Sequence, residues 1–225
     1  MVRRYRRPER AGARRFKLSW LAVPALVLLI LGFRLVEEVG QETTVAQRFT
    51  VLRVVDGDTF ELVGGDRVRM LTIDTPERGQ PLYDSARTVL EGLVMGRPVD
   101  LQFAGPRRDR YGRLLAYVYV DTLLVNALLV RQGLAYVYLF DDTDMSRREV
   151  ELLMQAQKSA IMNDAGMHGL ARAQESYYVA RKGSLRFHRP DCPRIANTSP
   201  DHLVRFGTRE EALLQGLAPA RNCRP

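Results

Sequence analysis

Cysteine is nearly absent. Cys192 and Cys223 are the only two in 225 residues, which excludes a disulfide-dense scaffold and a four-cysteine zinc site. A surplus of positive charge is missing from the middle of the chain. The protein is basic overall, with a pI near 9.9 and a net charge of +8. Residues 1–17 hold +7 of this and residues 177–225 hold +5, while residues 18–176 are net −4. Global basicity is therefore no argument for nucleic-acid binding, and only a local arginine cluster can be one.

A cleavage signal is also missing near the N-terminus. A basic tail (residues 1–17) precedes a 16-residue uncharged run from Leu18 to Phe33. No A-x-A-like site follows that run, which disfavours a cleaved signal peptide. It has no amphipathic period, which disfavours a core helix. Both remain alternatives to the expected reading, a transmembrane anchor over 18–36 followed by a linker over 37–46. Basic residues lead and Glu37, Glu38 and Glu42 follow. The expectation is then a single-pass membrane protein with a cytoplasmic N-terminus and the chain after residue 40 periplasmic or extracellular.

The remaining chain divides into a domain over 47–170, a polar linker over 171–176 and a small unit over 177–225. β-Rich runs at 49–55, 59–63, 67–73, 99–103 and 114–120 predict five strands. Helices are expected at 85–95, 125–132 and 146–161, the last opened by a Ser146 to Glu149 capping box. Five strands with a helix after the third predict a β-rich α+β fold. Its centre is a five-stranded Greek-key barrel of OB type with about three helices, beside the anchor and a small α+β C-terminal unit.

The densest chemistry lies between Val54 and Glu77. Asp58, Asp74 and the Thr75 carbonyl are hard oxygen donors, which suit Ca²⁺ or Mg²⁺ and not Zn²⁺. Glu77 can hold a water as general base. Arg69 offers a planar fork for two phosphate oxygens. Arg69 and Asp74 are five positions apart, so a straight strand would point them to opposite faces. The strand must end, twist or bulge before Asp74 if both serve one site. The plain alternative is that Asp56-Gly57-Asp58 is only a hairpin turn and Thr75-Pro76-Glu77 only a turn start. A second cluster, Arg107-Arg108-Asp109-Arg110-Tyr111-Gly112-Arg113, suits phosphate and base contact, or is a solvated charged loop.

Together these segments resemble the staphylococcal nuclease family over about residues 48–169. They are Val55–Thr59, Arg69–Glu77, Asp109–Arg113 with Leu115–Tyr117, and Val130–Ala135. The resemblance implies Ca²⁺-dependent phosphodiester hydrolysis of DNA and RNA, leaving 3′-phosphate ends. It implies Asp58, Asp74 and the Thr75 carbonyl as calcium ligands and Glu77 as the base. Arg69 and Arg113 would grip the phosphate, and Arg110 and Tyr111 would lie near a terminal phosphate. Tyr136 and Tyr138 stand near the family's substrate tyrosines, or are core residues. The implied partner is nucleic acid, single-stranded DNA included, on a monomeric catalytic domain. Met167-His168 stands where the family usually has a tryptophan.

The C-terminal unit resembles the small Cys/His metal-binding domain of Ada-type DNA-repair proteins. His188, Cys192 and Cys223 fit that pattern, but Ala220 stands where a third cysteine belongs. A structural zinc site wants four ligands, so a degenerate zinc site, a Cys192–Cys223 disulfide and free thiols all remain open. Two rivals to the nuclease are a non-catalytic OB-type nucleic-acid-binding module and a membrane-tethered adaptor. Neither has a use for Arg69, Glu77, Arg113 and both metal aspartates together.

Overall fold

Alternation along the third β-run places the first functional side chain. In Arg67-Val-Arg-Met70, Val68 and Met70 are buried while Arg67 and Arg69 face outward, the period-two pattern of a half-buried strand. The computed structural model describes residues 48–171, 175–223 and 225. Five strands form its main sheet: β1 (Arg48–Asp56), β2 (Thr59–Leu62), β3 (Arg67–Met70), β5 (Pro98–Arg108) and β6 (Leu114–Val120). Their order is β3-β2-β1-β5-β6, and a parallel β3–β6 pairing closes the ring. The expected closed OB-type barrel is the observed one. Closure removes the open edges that a sheet of this size would otherwise expose. A short strand β7 (Leu123–Leu124) extends β6.

Three helices pack on the barrel: α1 (Tyr83–Val94), α2 (Val125–Arg131) and α3 (Arg148–Met162). Helix α1 buries Ala86, Leu90 and Val94, one face at four-residue spacing. Burying its larger apolar chains contributes about 1.5–3 kcal/mol each. The core also contains Phe60, Met70, Ile73 and Tyr117, all essentially inaccessible. The capping box expected at Ser146 does not form. Helix α3 starts at Arg148 without a side-chain cap, and the Ser146 side chain is turned back to Asp144, its hydroxyl donating there at 2.6 Å.

The third predicted strand is not continuous. It stops at Met70 and resumes as β4 (Ile73–Asp74), which pairs with β8 (Tyr136–Val137) in a separate two-stranded sheet. Thr72 lies between them at φ 56°, and this left-handed residue reverses the side-chain parity. Buried Asn126 holds the break: it accepts the Val118 N–H at 2.9 Å and donates to the Leu71 carbonyl at 2.9 Å. Tyr138 donates its N–H to the Thr72 carbonyl at 2.8 Å.

The described residues form a single compact unit. The C-terminal part folds as a second sheet of β9 (Tyr178–Arg181), β10 (Arg186–His188), β11 (Leu203–Phe206) and β12 (Ala218–Pro219), with helix α4 (Arg209–Leu214). Thr208 caps α4 by accepting the Glu211 N–H at 3.1 Å. Buried Gln157 of α3 bridges the two parts. It accepts the Val137 N–H at 2.8 Å and donates to the Leu213 carbonyl at 2.7 Å. Leaving such buried groups unpaired costs about 1–3 kcal/mol each, so the second sheet is fastened to the barrel by polar as well as apolar contact.

The single-pass membrane placement is corrected. Among the described residues no helix is long and apolar enough to cross a membrane. The 18–36 segment that carried that expectation lies outside them.

Candidate active site

The site is assembled from three turns at one side of the barrel. The β1–β2 turn presents Asp58, whose N–H is accepted by Asp56 Oδ1 at 3.1 Å. Gly57 permits this packing: a Cβ there would fall 2.7 Å from Ala86 Cβ and 2.8 Å from Thr75 Oγ1. Asp58 is buried. Its Oδ2 accepts from the Thr75 N–H at 3.2 Å and the Thr75 hydroxyl at 3.1 Å. The structure thus shows Thr75 working through its amide and hydroxyl, which lock Asp58 in place.

The β3 break then brings Arg69 and Asp74 together. Arg69 Nη2 lies 3.0 Å from Asp58 Oδ2 and 3.4 Å from Asp74 Oδ1. It also donates to the Ile73 carbonyl at 2.8 Å, while Nη1 donates to the Met70 carbonyl at 2.7 Å. One guanidinium nitrogen therefore sits between two carboxylates. Burial pushes the Asp74 carboxyl above its ordinary value, and the hydrogen bond and charge of Arg221 oppose that rise.

This donor set fits a divalent cation. A buried and a part-buried carboxylate already converge on a positive centre, and an oxygen-only set suits a hard ion. Asp58 and Asp74 would hold it, with the Thr75 carbonyl as a third donor.

Glu77 stands at the rim, largely exposed. Its N–H donates to Gln80 Oε1 at 2.9 Å, and the Gln80 N–H returns a bond to the Glu77 carbonyl at 2.9 Å. A closed turn thus presents the carboxylate to solvent.

Arg113 comes from the β5–β6 loop. Asp109 orients it, with Oδ2 2.8 Å from Arg113 Nε and Oδ1 accepting the Arg113 and Tyr111 N–H groups at 3.0 and 2.9 Å. Slight burial works to raise the Asp109 carboxyl, but these bonds outweigh it and hold the group below its usual value. Arg110 Nη2 donates to the Tyr111 hydroxyl at 2.7 Å, and both residues are exposed. Arg69, Arg110, Tyr111, Arg113 and Tyr138 line one cavity of about 710 Å³. Tyr136 lies on a neighbouring cavity of about 590 Å³ with Asp74 and Thr75, its hydroxyl accepting from Arg209 at 2.7 Å. So Tyr138 shares the arginine cavity, whereas Tyr136 joins the barrel to α4.

Three partners carry no role in the reading of the sequence alone: Asp109, Gln80 and Arg221. Asp109 could have been found from the Asp-x₃-Arg spacing in a tight loop. Arg221 reaches the site from 147 positions away, and nothing in sequence marks it.

Comparison with known proteins settles the family. The model described as "Staphylococcal nuclease homologue" matches residues 67–179, half of the chain. The chain belongs to the staphylococcal nuclease family. It is 36% identical over 119 residues to a protein of Escherichia coli O157:H7 named an uncharacterized endonuclease, covering 51% of this chain and 76% of that one. It is 34% identical over 123 residues to the thermonuclease of Staphylococcus intermedius, covering 51% and 71%. It is 43% identical over 102 residues to Endonuclease YncB of Bacillus subtilis, covering 40% and 48%. The family match ends at residue 179 and lends nothing to the Ada-type resemblance of the C-terminal unit.

In that unit Cys192 and Cys223 are joined in a disulfide, with Cα atoms 5.7 Å apart. His188 Nδ1 lies 3.1 Å from Cys223 Sγ and 3.5 Å from Cys192 Sγ. The disulfide is the form observed among the three left open. It removes both thiolates from the zinc-ligand set.

One pH effect follows from the β1–β2 turn. Burial first, and the neighbouring Asp58 charge second, push the Asp56 carboxyl up to about 6. Folding therefore tightens proton binding here, and stability falls as pH rises from the unfolded value near ~4 to about 6. Allowing for partial exposure, the loss is about 1–2 kcal/mol. Denaturant unfolding in chelator across pH 4–7 is expected to show it, and Asp56→Asn to flatten the profile. An identical profile in the variant would contradict this assignment.

Proposed function

We propose that the protein is a calcium-dependent nuclease that hydrolyses phosphodiester bonds of DNA and RNA. The observation that carries the reading is the convergence of Asp58 and Asp74 on Arg69 beside a cavity shared with Arg113. A module that only binds nucleic acid gains nothing from part-buried acids, whose burial is costly.

The chain's own residues have distinct tasks. Arg69 and Arg113 present guanidinium forks to the equatorial oxygens of the scissile phosphate. Their charge counts most as negative charge builds on those oxygens. Asp109 fixes the Arg113 fork before substrate arrives, which lowers the ordering cost of binding. Glu77 takes a proton from water as its oxygen attacks phosphorus. The bond to the 5′ oxygen breaks, that oxygen gains a proton, and a 3′-phosphate remains. Bound Ca²⁺ would supply further positive charge at the phosphate and a site for ordering water. Arg110 and Tyr111, exposed at the cavity mouth, contact a terminal phosphate, and Tyr138 offers a ring face to a base.

The test is hydrolysis of a single-stranded DNA oligonucleotide by the full chain, with Ca²⁺ and then with chelator. The expected result is at least about a hundredfold loss of rate in chelator, with 3′-phosphate ends on the products formed in Ca²⁺. Equal rates in both conditions contradict the calcium assignment.

A further inference from the structure

The C-terminal unit puts a guanidinium into the nuclease site. Arg221 Nε lies 3.2 Å from Asp74 Oδ2, and its Nη2 bonds Asp74 Oδ1, so the fork grips both carboxylate oxygens. Its Nη1 stands 3.4 Å from Glu77 Oε1. One arginine therefore holds a prospective cation ligand and the prospective base. Its Cζ lies 5.5 Å from the Tyr138 ring centre, and it lines the same cavity as Arg69 and Arg113.

The placement of Arg221 is built. Strand β12 leads into its turn, in parallel register with β10. The Ala220 N–H is tied to the Phe187 carbonyl at 2.9 Å and the Cys223 N–H to the Ala220 carbonyl at 3.2 Å. The Cys192–Cys223 disulfide closes the turn two residues later. The backbone is thus fixed on both sides of an arginine whose side chain remains about half exposed, at 52%. The fork can swing while its root stays put.

We infer that Arg221 is an exchangeable guanidinium of the nuclease site: it competes with the divalent cation for Asp74 and, once displaced, binds a substrate phosphate in the cavity it shares with Arg69 and Arg113. The exchange rests on the functional reading above. The Arg221 fork and a cation compete for the same two Asp74 oxygens, one of which Arg69 also contacts. Displacement moves the fork off Asp74 and Glu77 together, so cation binding also frees the base. The freed charge stays within reach of the cavity because its turn is fixed. The C-terminal unit then contributes to substrate binding through Arg221, a residue beyond the 67–179 family match.

The experiment uses the full chain and Arg221→Ala. Calorimetric titration with Ca²⁺ alone, without nucleic acid, is expected to show about three- to tenfold tighter binding in the variant, the gain from removing a competitor for Asp74. Steady-state hydrolysis of single-stranded DNA at saturating Ca²⁺ is expected to show KM raised severalfold, with kcat changed less than twofold. Arg221→Lys keeps the charge and loses the fork, and falls between the two proteins in both readouts. Unchanged or weaker Ca²⁺ binding, or an unchanged KM, overturns the inference. Wild-type protein that neither binds Ca²⁺ nor cleaves DNA sinks the functional reading instead, so the two failures are distinct.

Discussion

Arg69→Ala is expected to lower kcat on single-stranded DNA by about a thousandfold or more. Arginines that stabilise a transferring phosphoryl group are worth about 10³–10⁵ in rate. Arg69 is also structural. Its guanidinium makes four contacts, to Asp58, Asp74 and the Met70 and Ile73 carbonyls. Removing it leaves a buried and a part-buried carboxylate facing each other, at a cost of about 3 kcal/mol. Saturating Ca²⁺ is expected to restore much of that stability, since the ion answers the same pair of charges. It cannot restore the rate, because the lost fork acts on the phosphate. Urea denaturation with and without Ca²⁺, beside turnover measurements, separates the two roles. Recovery of turnover with stability would contradict the phosphate role. Arg69→Lys is expected to regain stability more than rate, since a point charge replaces a planar fork.

Glu77→Gln is expected to cost between about a hundredfold and ten-thousandfold in kcat, the range for losing a positioned general base. Here stability gives a clean control. The Glu77 carboxylate is 64% exposed and its one ion pair among the described residues is with Arg221, an interaction worth little at a surface. Its turn is held by backbone and Gln80 contacts that the amide variant keeps. Lost turnover in a protein of unchanged stability and unchanged Ca²⁺ affinity would therefore be chemical.

The barrel and most of its site were legible in the sequence because both depend on local signals. Val68 and Met70 alternate with Arg67 and Arg69, so the outward face of β3 follows from pattern alone. The clash of parity between Arg69 and Asp74 required a break before Asp74, and the left-handed Thr72 supplies it. What held that break was not legible. Asn126 lies 55 positions from Leu71, and no spacing rule links an asparagine on one helix to a distant carbonyl. The capping box at Ser146 matches a motif, yet the Ser146 hydroxyl is oriented toward Asp144 two residues back. Asp144 also accepts the Ser146 N–H at 3.0 Å, so the local turn wins over the helix cap. The partition of the chain was read as barrel, linker and tail. Gln157 and Arg221 make the tail part of the barrel's surroundings, through contacts 56 and 147 positions apart. The expected anchor over 18–36 rests on an uncharged run, a missing cleavage site and the order of the flanking charges. The described residues supply no membrane-length helix to support it.

The carboxylate and guanidinium cluster of Asp58, Asp74, Glu77, Arg69 and Arg113 is expected to hydrolyse nucleic acid. The most direct measurement is turnover of single-stranded DNA at saturating Ca²⁺ by the full chain and by Glu77→Gln, each with its unfolding midpoint. Ca²⁺-dependent cleavage by the parent protein is expected, with at least about a hundredfold less by a variant of equal stability. Cleavage by Glu77→Gln at the parent rate would contradict it.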